Sequence, residues 1–194
     1  MRLHSGLSSF LALRTVAWPL LALPAAIIVV ARGLDKLSYG QTIHTTGQWS
    51  IGLLCAVLLV TPLRRLFPKR NETQLLLRHR RAIGVASFGY ALLHTVVYLD
   101  KKWAAGLVVK EGQDPSLLTG WVAFVLFLAL AVTSNNVSVR KLGRRWKKLH
   151  KSIYVAAVLG FAHWALTTLD PTTAIGIGVA VCLIELSRTL PDRA

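Results

Sequence analysis

The sequence predicts an all-α polytopic membrane protein, a bundle of six transmembrane helices with both termini in the cytoplasm. Three observations predict it. Of 194 residues, 54% are hydrophobic and only 16% are charged, at a mean hydropathy of +0.52, which is too little polar cover for a soluble domain. The charges are bunched, so that long apolar stretches alternate with short basic clusters. A chain whose backbone groups must be satisfied inside helices within a bilayer has this pattern. Finally, lysines and arginines are shared unequally between alternate loops.

The apolar segments run over 15–31, 47–63, 82–99, 117–134, 151–169 and 172–187. Most approach the ~20 residues that cross ~30 Å of hydrocarbon. The first contains Pro19 and Pro24, which predict a kink that a packed bundle tolerates. Arg2 and Arg14 precede it in the manner of a signal peptide. No small-x-small cleavage site follows, however, and its removal would leave an odd number of spans. The second and sixth segments each hold one cysteine, Cys55 and Cys182, without metal-ligand spacing or a nearby partner, so both read as packing residues. The third and fifth open on basic runs and carry one histidine each in their outer halves. Only Asp170 and Pro171 separate the last two, which predicts a tight antiparallel hairpin. Glu185, near the end of the sixth, is expected to snorkel or to pair with Arg188.

Of the 23 lysines and arginines, 18 fall in the N-terminal segment, the second-to-third and fourth-to-fifth loops and the C-terminal tail. The opposite face holds five: Arg32, Lys36, Lys101, Lys102 and Lys110. That asymmetry in short loops places both termini inside. It also accounts for the net charge of +15, which serves topology and contact with anionic membrane lipid and excludes nucleic-acid binding, since no basic stripe lies on a soluble surface. Trp18, Trp49, Trp103, Trp121 and Trp146 fall near span ends, as interfacial anchors do. The chain reads as one bundle domain, 1–194, without internal repeats.

The histidines carry the chemistry. His94 and His163 each lie 12 residues beyond the cytoplasmic start of their segments, Ala82 and Lys151. At ~1.5 Å per residue both sit ~18 Å deep, past the middle of the membrane. Two imidazoles at one depth on two helices running the same way can clamp a metal or a haem iron. One iron would hold the ligating nitrogens only ~4 Å apart. The alternative is a pair of buried histidines hydrogen-bonding between helices. A second level stands at the cytoplasmic edge, where His150 opens the fifth segment and His79, Arg80 and Arg81 open the third. On ideal helices Arg80 falls within ~40° of the His94 face and His79 within ~60°, whereas His150 and His163 stand ~140° apart. Alignment of that last pair requires a distortion at the helix start or approach from another side. His44 and His4 read as solvated loop and tail residues, and Trp164 as a candidate wall of a haem pocket.

Taken together, Thr46-Gly47-Gln48-Trp49, Thr61-Pro62-Leu63-Arg64-Arg65, Arg80-Arg81-Ala82-Ile83-Gly84 and Tyr90-Ala91-Leu92-Leu93-His94 resemble the ferric-reductase-like transmembrane family. Ala131-Val132-Thr133-Ser134, the run Leu142-Gly143-Arg144-Arg145-Trp146-Lys147-Lys148-Leu149-His150, and Tyr154 before His163 extend the likeness. It runs in order from about Thr46 to Trp164. Within the family it is similar to the haem-binding subunits that serve methionine sulfoxide reductases.

The resemblance implies a b-type cytochrome with one or two haems. It would carry electrons from the cytoplasmic side or the quinone pool to a periplasmic molybdopterin-dependent reductase of methionine sulfoxide in oxidised proteins. Quinone or a cytosolic flavin reductase would be the donor, and FMN is also associated with the family. By motif match His94 and His163 would ligate the outer haem, and His150 the inner one. Arg80 would be the opposite partner, as ligand or propionate clamp, with His79 as a loop residue. Two departures stand out: the segment Gln113-Asp114-Pro115-Ser116-Leu117-Leu118-Thr119-Gly120, and the extra His79 beside Arg80.

The expected role is thus an electron-transfer subunit, not a catalytic one. The seven residues after Ser187 leave no room for a flavin and nicotinamide module, so reductant is expected from elsewhere. Two other functions compete. One keeps the haem and delivers electrons to a metal ion, superoxide or oxygen. The other is a small transporter using the histidines as a proton relay, which would be colourless.

Overall fold

A computed structural model describes residues 3–186, with side chains from 16 to 186 other than that of Ala104. Among the described residues the chain is all α: α1 (Leu3–Gly33), α2 (Tyr39–Leu66), α3 (Asn71–Ala104), α4 (Val108–Glu111), α5 (Pro115–Val132), α6 (Asn136–Leu142), α7 (Arg144–His150), α8 (Ile153–Thr167) and α9 (Thr172–Leu186). Four helices, α1, α2, α3 and α5, are long and apolar enough to cross a membrane. At 15 residues each, α8 and α9 are shorter. The end of the sixth segment at Ser187, the tail with Arg188, and the side chains of Arg2, His4 and Arg14 lie outside the described residues.

The helices begin and end where local chemistry dictates, and the apolar edges mark only the membrane. Ser38 and Gln41 form a reciprocal capping box that starts α2 eight residues before its apolar segment. Helix α3 likewise starts at Asn71, 11 residues before the apolar edge at Ala82. Charged side chains that reach water or headgroups do not oppose a helix. His44 and His79, expected in loops, are therefore helical, His44 exposed in α2 and His79 half-buried in α3. Asp114 accepts from the Ser116 N–H, with Pro115 next to it, and so sets the start of α5. Between α6 and α7 the chain turns at Gly143, whose φ of 49° favours glycine.

The fifth apolar segment begins with a break. Lys151 N–H reaches both Lys147 and Lys148 carbonyls, and Ser152 N–H reaches only Leu149, a tight turn that separates α7 from α8. This turn lies between His150 and His163. At the far end Thr168 is extended, and Asp170 accepts from both the N–H and the hydroxyl of Thr172 to start α9.

Apolar residues cover the outside of the bundle as well as its core. Buried positions include the hydroxyls of Thr42, Thr46, Ser50 and Ser87, while Val16, Leu20, Val125, Val158 and Leu183 are more than half exposed. Apolar outer faces suit lipid, and buried hydroxyls find backbone partners. Helix α2 packs chiefly along α3, and α5 along α8. Ser50 and Ser87 bolt the first pair reciprocally, each hydroxyl donating to the other's carbonyl, at 3.0 and 2.9 Å. Leu54, Leu58, Phe127, Leu130, Ala156, Ala157 and Val181 form the core where α2, α5, α8 and α9 meet.

Candidate functional site: two facing imidazoles

A cavity of about 840 Å³ opens between α2, α3, α5 and α8, large enough for a sizeable cofactor. His94 from α3 and His163 from α8 both line it, with Trp121, Phe124, Phe127 and Trp164 as apolar walls. The two imidazole centroids are 6.2 Å apart and the ring planes perpendicular, at 90°.

Each ring is oriented by a backbone carbonyl. His94 Nδ1 is 2.8 Å from the Ile43 carbonyl, and His163 Nδ1 is 2.8 Å from the Ser116 carbonyl. A carbonyl only accepts, so both Nδ1 atoms carry the proton and both Nε2 atoms keep a bare lone pair. Thr46 Oγ1 stands 3.5 Å from His94 Nδ1, a weaker second contact, since that hydroxyl already donates to the Thr42 carbonyl at 2.8 Å. Two metal–nitrogen bonds of about 2 Å, plus two imidazole radii of about 1.15 Å, span about 6.3 Å. The observed separation matches that span. No group of three or more His, Cys, Asp or Glu capable of holding a metal occurs among the described residues. Two neutral imidazoles therefore suit an ion that brings its other ligands with it, as haem iron does.

The same cavity is also lined by a polar cluster. Lys102 pairs with Glu111 at 2.6 Å, and Tyr98 donates to the other Glu111 oxygen at 3.3 Å. Lys102 is two turns beyond His94 on α3, ~12 Å further out.

The surroundings of His150 are built differently. His150, at the end of α7, stacks on Trp146 with centroids 3.9 Å apart. Its Nε2 is 3.1 Å from Thr133 Oγ1, and Trp146 Nε1 donates to the Thr133 carbonyl at 2.9 Å. Thr133 spends its one proton on the Ala129 carbonyl at 2.7 Å, so Nε2–H of His150 is the donor and its Nδ1 is the bare nitrogen. Arg81 donates to Asn136 at 2.7 Å.

The structure brings His94 and His163 together and holds His150 apart from them, against Trp146 and Thr133. Spacing alone missed the Ile43 and Ser116 carbonyls, Gly47, Gly120, Thr133 and the Lys102–Glu111 pair. Gly47 and Thr133 lay within quoted motifs, so a signal existed without a chemical role. Carbonyl acceptors leave no mark in a sequence.

Residues 46–161 match the family described as the ferric reductase like transmembrane component. The chain is 39% identical over 165 residues to a protein of Ralstonia nicotianae named protein-methionine-sulfoxide reductase heme-binding subunit MsrQ, covering 80% of this chain and 73% of the relative. A protein of the same name from Brucella anthropi is 39% identical over 75% of this chain and 67% of its own length. Another, from Agrobacterium fabrum, is 36% identical over 75% and 68%.

Proposed function

The chain belongs to the ferric reductase like transmembrane family and is a multi-pass protein of the bacterial inner membrane, and from that premise we propose that it is a b-type cytochrome. In this reading it is the electron-transfer subunit of a methionine sulfoxide reductase system. His94 and His163 would hold its outer haem, each through Nε2. The single observation that carries the reading is the facing imidazole pair, 6.2 Å between centroids with each Nδ1 tied to a carbonyl. Haem supplies one-electron storage. Two protein ligands leave no open iron site, which favours electron transfer over oxygen chemistry.

The chain's own residues perform the rest. Ile43 and Ser116 carbonyls fix the tautomers and raise ligand basicity. Trp121, Phe124 and Trp164 exclude water. His150 would be one ligand at the inner level, with Arg80 beside that haem as ligand or propionate clamp, and ligation through His150 Nε2 would require release of the Thr133 contact. Electrons pass from the cytoplasmic side or the quinone pool to a periplasmic reductase, where methionine sulfoxide takes two electrons and two protons to give methionine and water. Six spans with both termini inside complete the reading, α7 and α8 together lengthening the fifth.

The test is haem quantitation with redox titration on the purified protein, repeated for His94→Ala and His163→Ala. Each variant is expected to lose the outer low-spin haem while the helices survive, because backbone bonding lies within each helix. A colourless wild-type protein, or full low-spin haem in either variant, overturns the reading.

A further inference from the structure

Gly47 and Gly120 occupy equivalent places in two different helix pairs. On α2 the Ile43 carbonyl accepts from His94, and Gly47, one turn later, lies against the same ring. On α5 the Ser116 carbonyl accepts from His163, and Gly120, again one turn later, lies against that ring. Each histidine thus rests on a carbonyl and on a glycine four residues beyond it, on the helix packed along its own.

The two seats differ in tightness. A Cβ at Gly47 would stand 3.2 Å from His94 Nδ1 and 3.3 Å from Cε1. A Cβ at Gly120 would stand 2.7 Å from His163 Nδ1, 2.8 Å from Cε1 and 3.1 Å from Cγ. The second case is a collision that the ring must leave; the first is a squeeze. Glycine is costly inside a helix, so a helical glycine with a ring where its Cβ would be has a packing reason. Backbone conformation gives none, since neither has a positive φ. Four other helical glycines, Gly40, Gly52, Gly89 and Gly176, have nothing within 4 Å of a Cβ, whereas Gly160 and Gly178 meet Ile51 and Phe161 at 3.3 Å, as close as Gly47 meets His94, so only Gly120 is set apart by distance.

We infer that Gly120, and less stringently Gly47, are positioning residues: by lacking a side chain they let the imidazole press against the helix and keep its Nδ1–H on the carbonyl one turn earlier. The inference rests on the reading of His94 and His163 as haem ligands. Loss of the seat at Gly120 moves His163 away from the Ser116 carbonyl. The weaker Nδ1–H bond makes the imidazole a less basic ligand, which disfavours ferric iron. Rotation of the ring also changes the angle between the two axial planes.

The experiment uses the purified, haem-loaded protein as wild type, Gly120→Ala, Gly47→Ala and Gly89→Ala. Readouts are haem content, midpoint potential and the ferric electron paramagnetic resonance spectrum. In Gly120→Ala the outer haem's potential is expected to rise and its low-spin signal to shift or be lost. Gly47→Ala is expected to shift in the same direction by less, and Gly89→Ala to match wild type. If Gly120→Ala fails to accumulate, Gly47→Ala decides alone. Wild-type potential and spectrum in every glycine variant that accumulates would overturn the inference while leaving ligation intact, and an equal shift in Gly89→Ala would reduce it to general helix loosening. A wild-type protein without low-spin haem would instead overturn the ligation reading on which the inference rests.

Discussion

His94 and His163 each spend one nitrogen on a carbonyl and keep the other for the cavity. Their ring planes stand at 90°. A haem iron held between perpendicular imidazoles would have its dxz and dyz orbitals nearly degenerate. A strongly anisotropic low-spin ferric signal is therefore expected from the outer haem, with its largest g value well above that of a parallel pair. A rhombic spectrum of the parallel type in the wild-type protein would contradict the observed ring geometry. His150 has the opposite tautomer, because Thr133 occupies its Nε2. At that level Arg80→Ala is expected to perturb the inner haem spectrum and His79→Ala to leave it unchanged. The reverse outcome, with loss confined to His79→Ala, would move the partner role to His79, whose imidazole is the better ligand chemically than a protonated guanidinium.

At the scale of elements, the two prolines of α1 find their physical counterpart on α3. The Tyr90 hydroxyl donates to the Leu21 carbonyl at 2.9 Å and accepts from the Ala25 N–H at 3.0 Å. It thus stands between the two groups that a regular helix would join directly, beside Pro24, whose ring opens the preceding turn. Tyr90→Phe leaves a donor and an acceptor unsatisfied in an apolar setting, at a cost of about 1–3 kcal/mol each. Lowered thermal stability of the detergent-purified protein, with ring stacking against Trp49 preserved, is the expected outcome. Unchanged stability would mean that α1 closes its own ladder when the hydroxyl is gone. Helix ends follow the same logic of local satisfaction. Ser38, Asp114 and Asp170 are readable caps, which an apolar-segment reading passes over because it registers hydrophobic edges and not hydrogen bonds.

For the whole molecule, the prediction is topological. With Cys55 and Cys182 replaced, single cysteines at Gln113 and Lys141, both exposed, separate the two faces. In intact spheroplasts a membrane-impermeant maleimide is expected to label Gln113→Cys, and to label Lys141→Cys only after lysis. Labelling of both from outside, or of neither, would break the six-span arrangement that the unequal lysine and arginine distribution implies.

Hydrophobicity and charge are properties of residues one at a time or in runs, so the sequence by itself determined that the chain is helical and membrane-spanning. It also implied that His94 and His163 share one level, since rise per residue is fixed in a helix. The separation and angle of those two rings, the tautomer of each and the glycines they rest on depend on how α2, α3, α5 and α8 pack. Only the tertiary structure decided them, because carbonyl positions and side-chain clearances exist between helices and not along them. The break at Lys151–Ser152 belongs to the same class. Spacing showed that His150 and His163 were out of phase on an ideal helix, but where the helix gives way is settled by which carbonyls the Lys151 and Ser152 N–H groups reach.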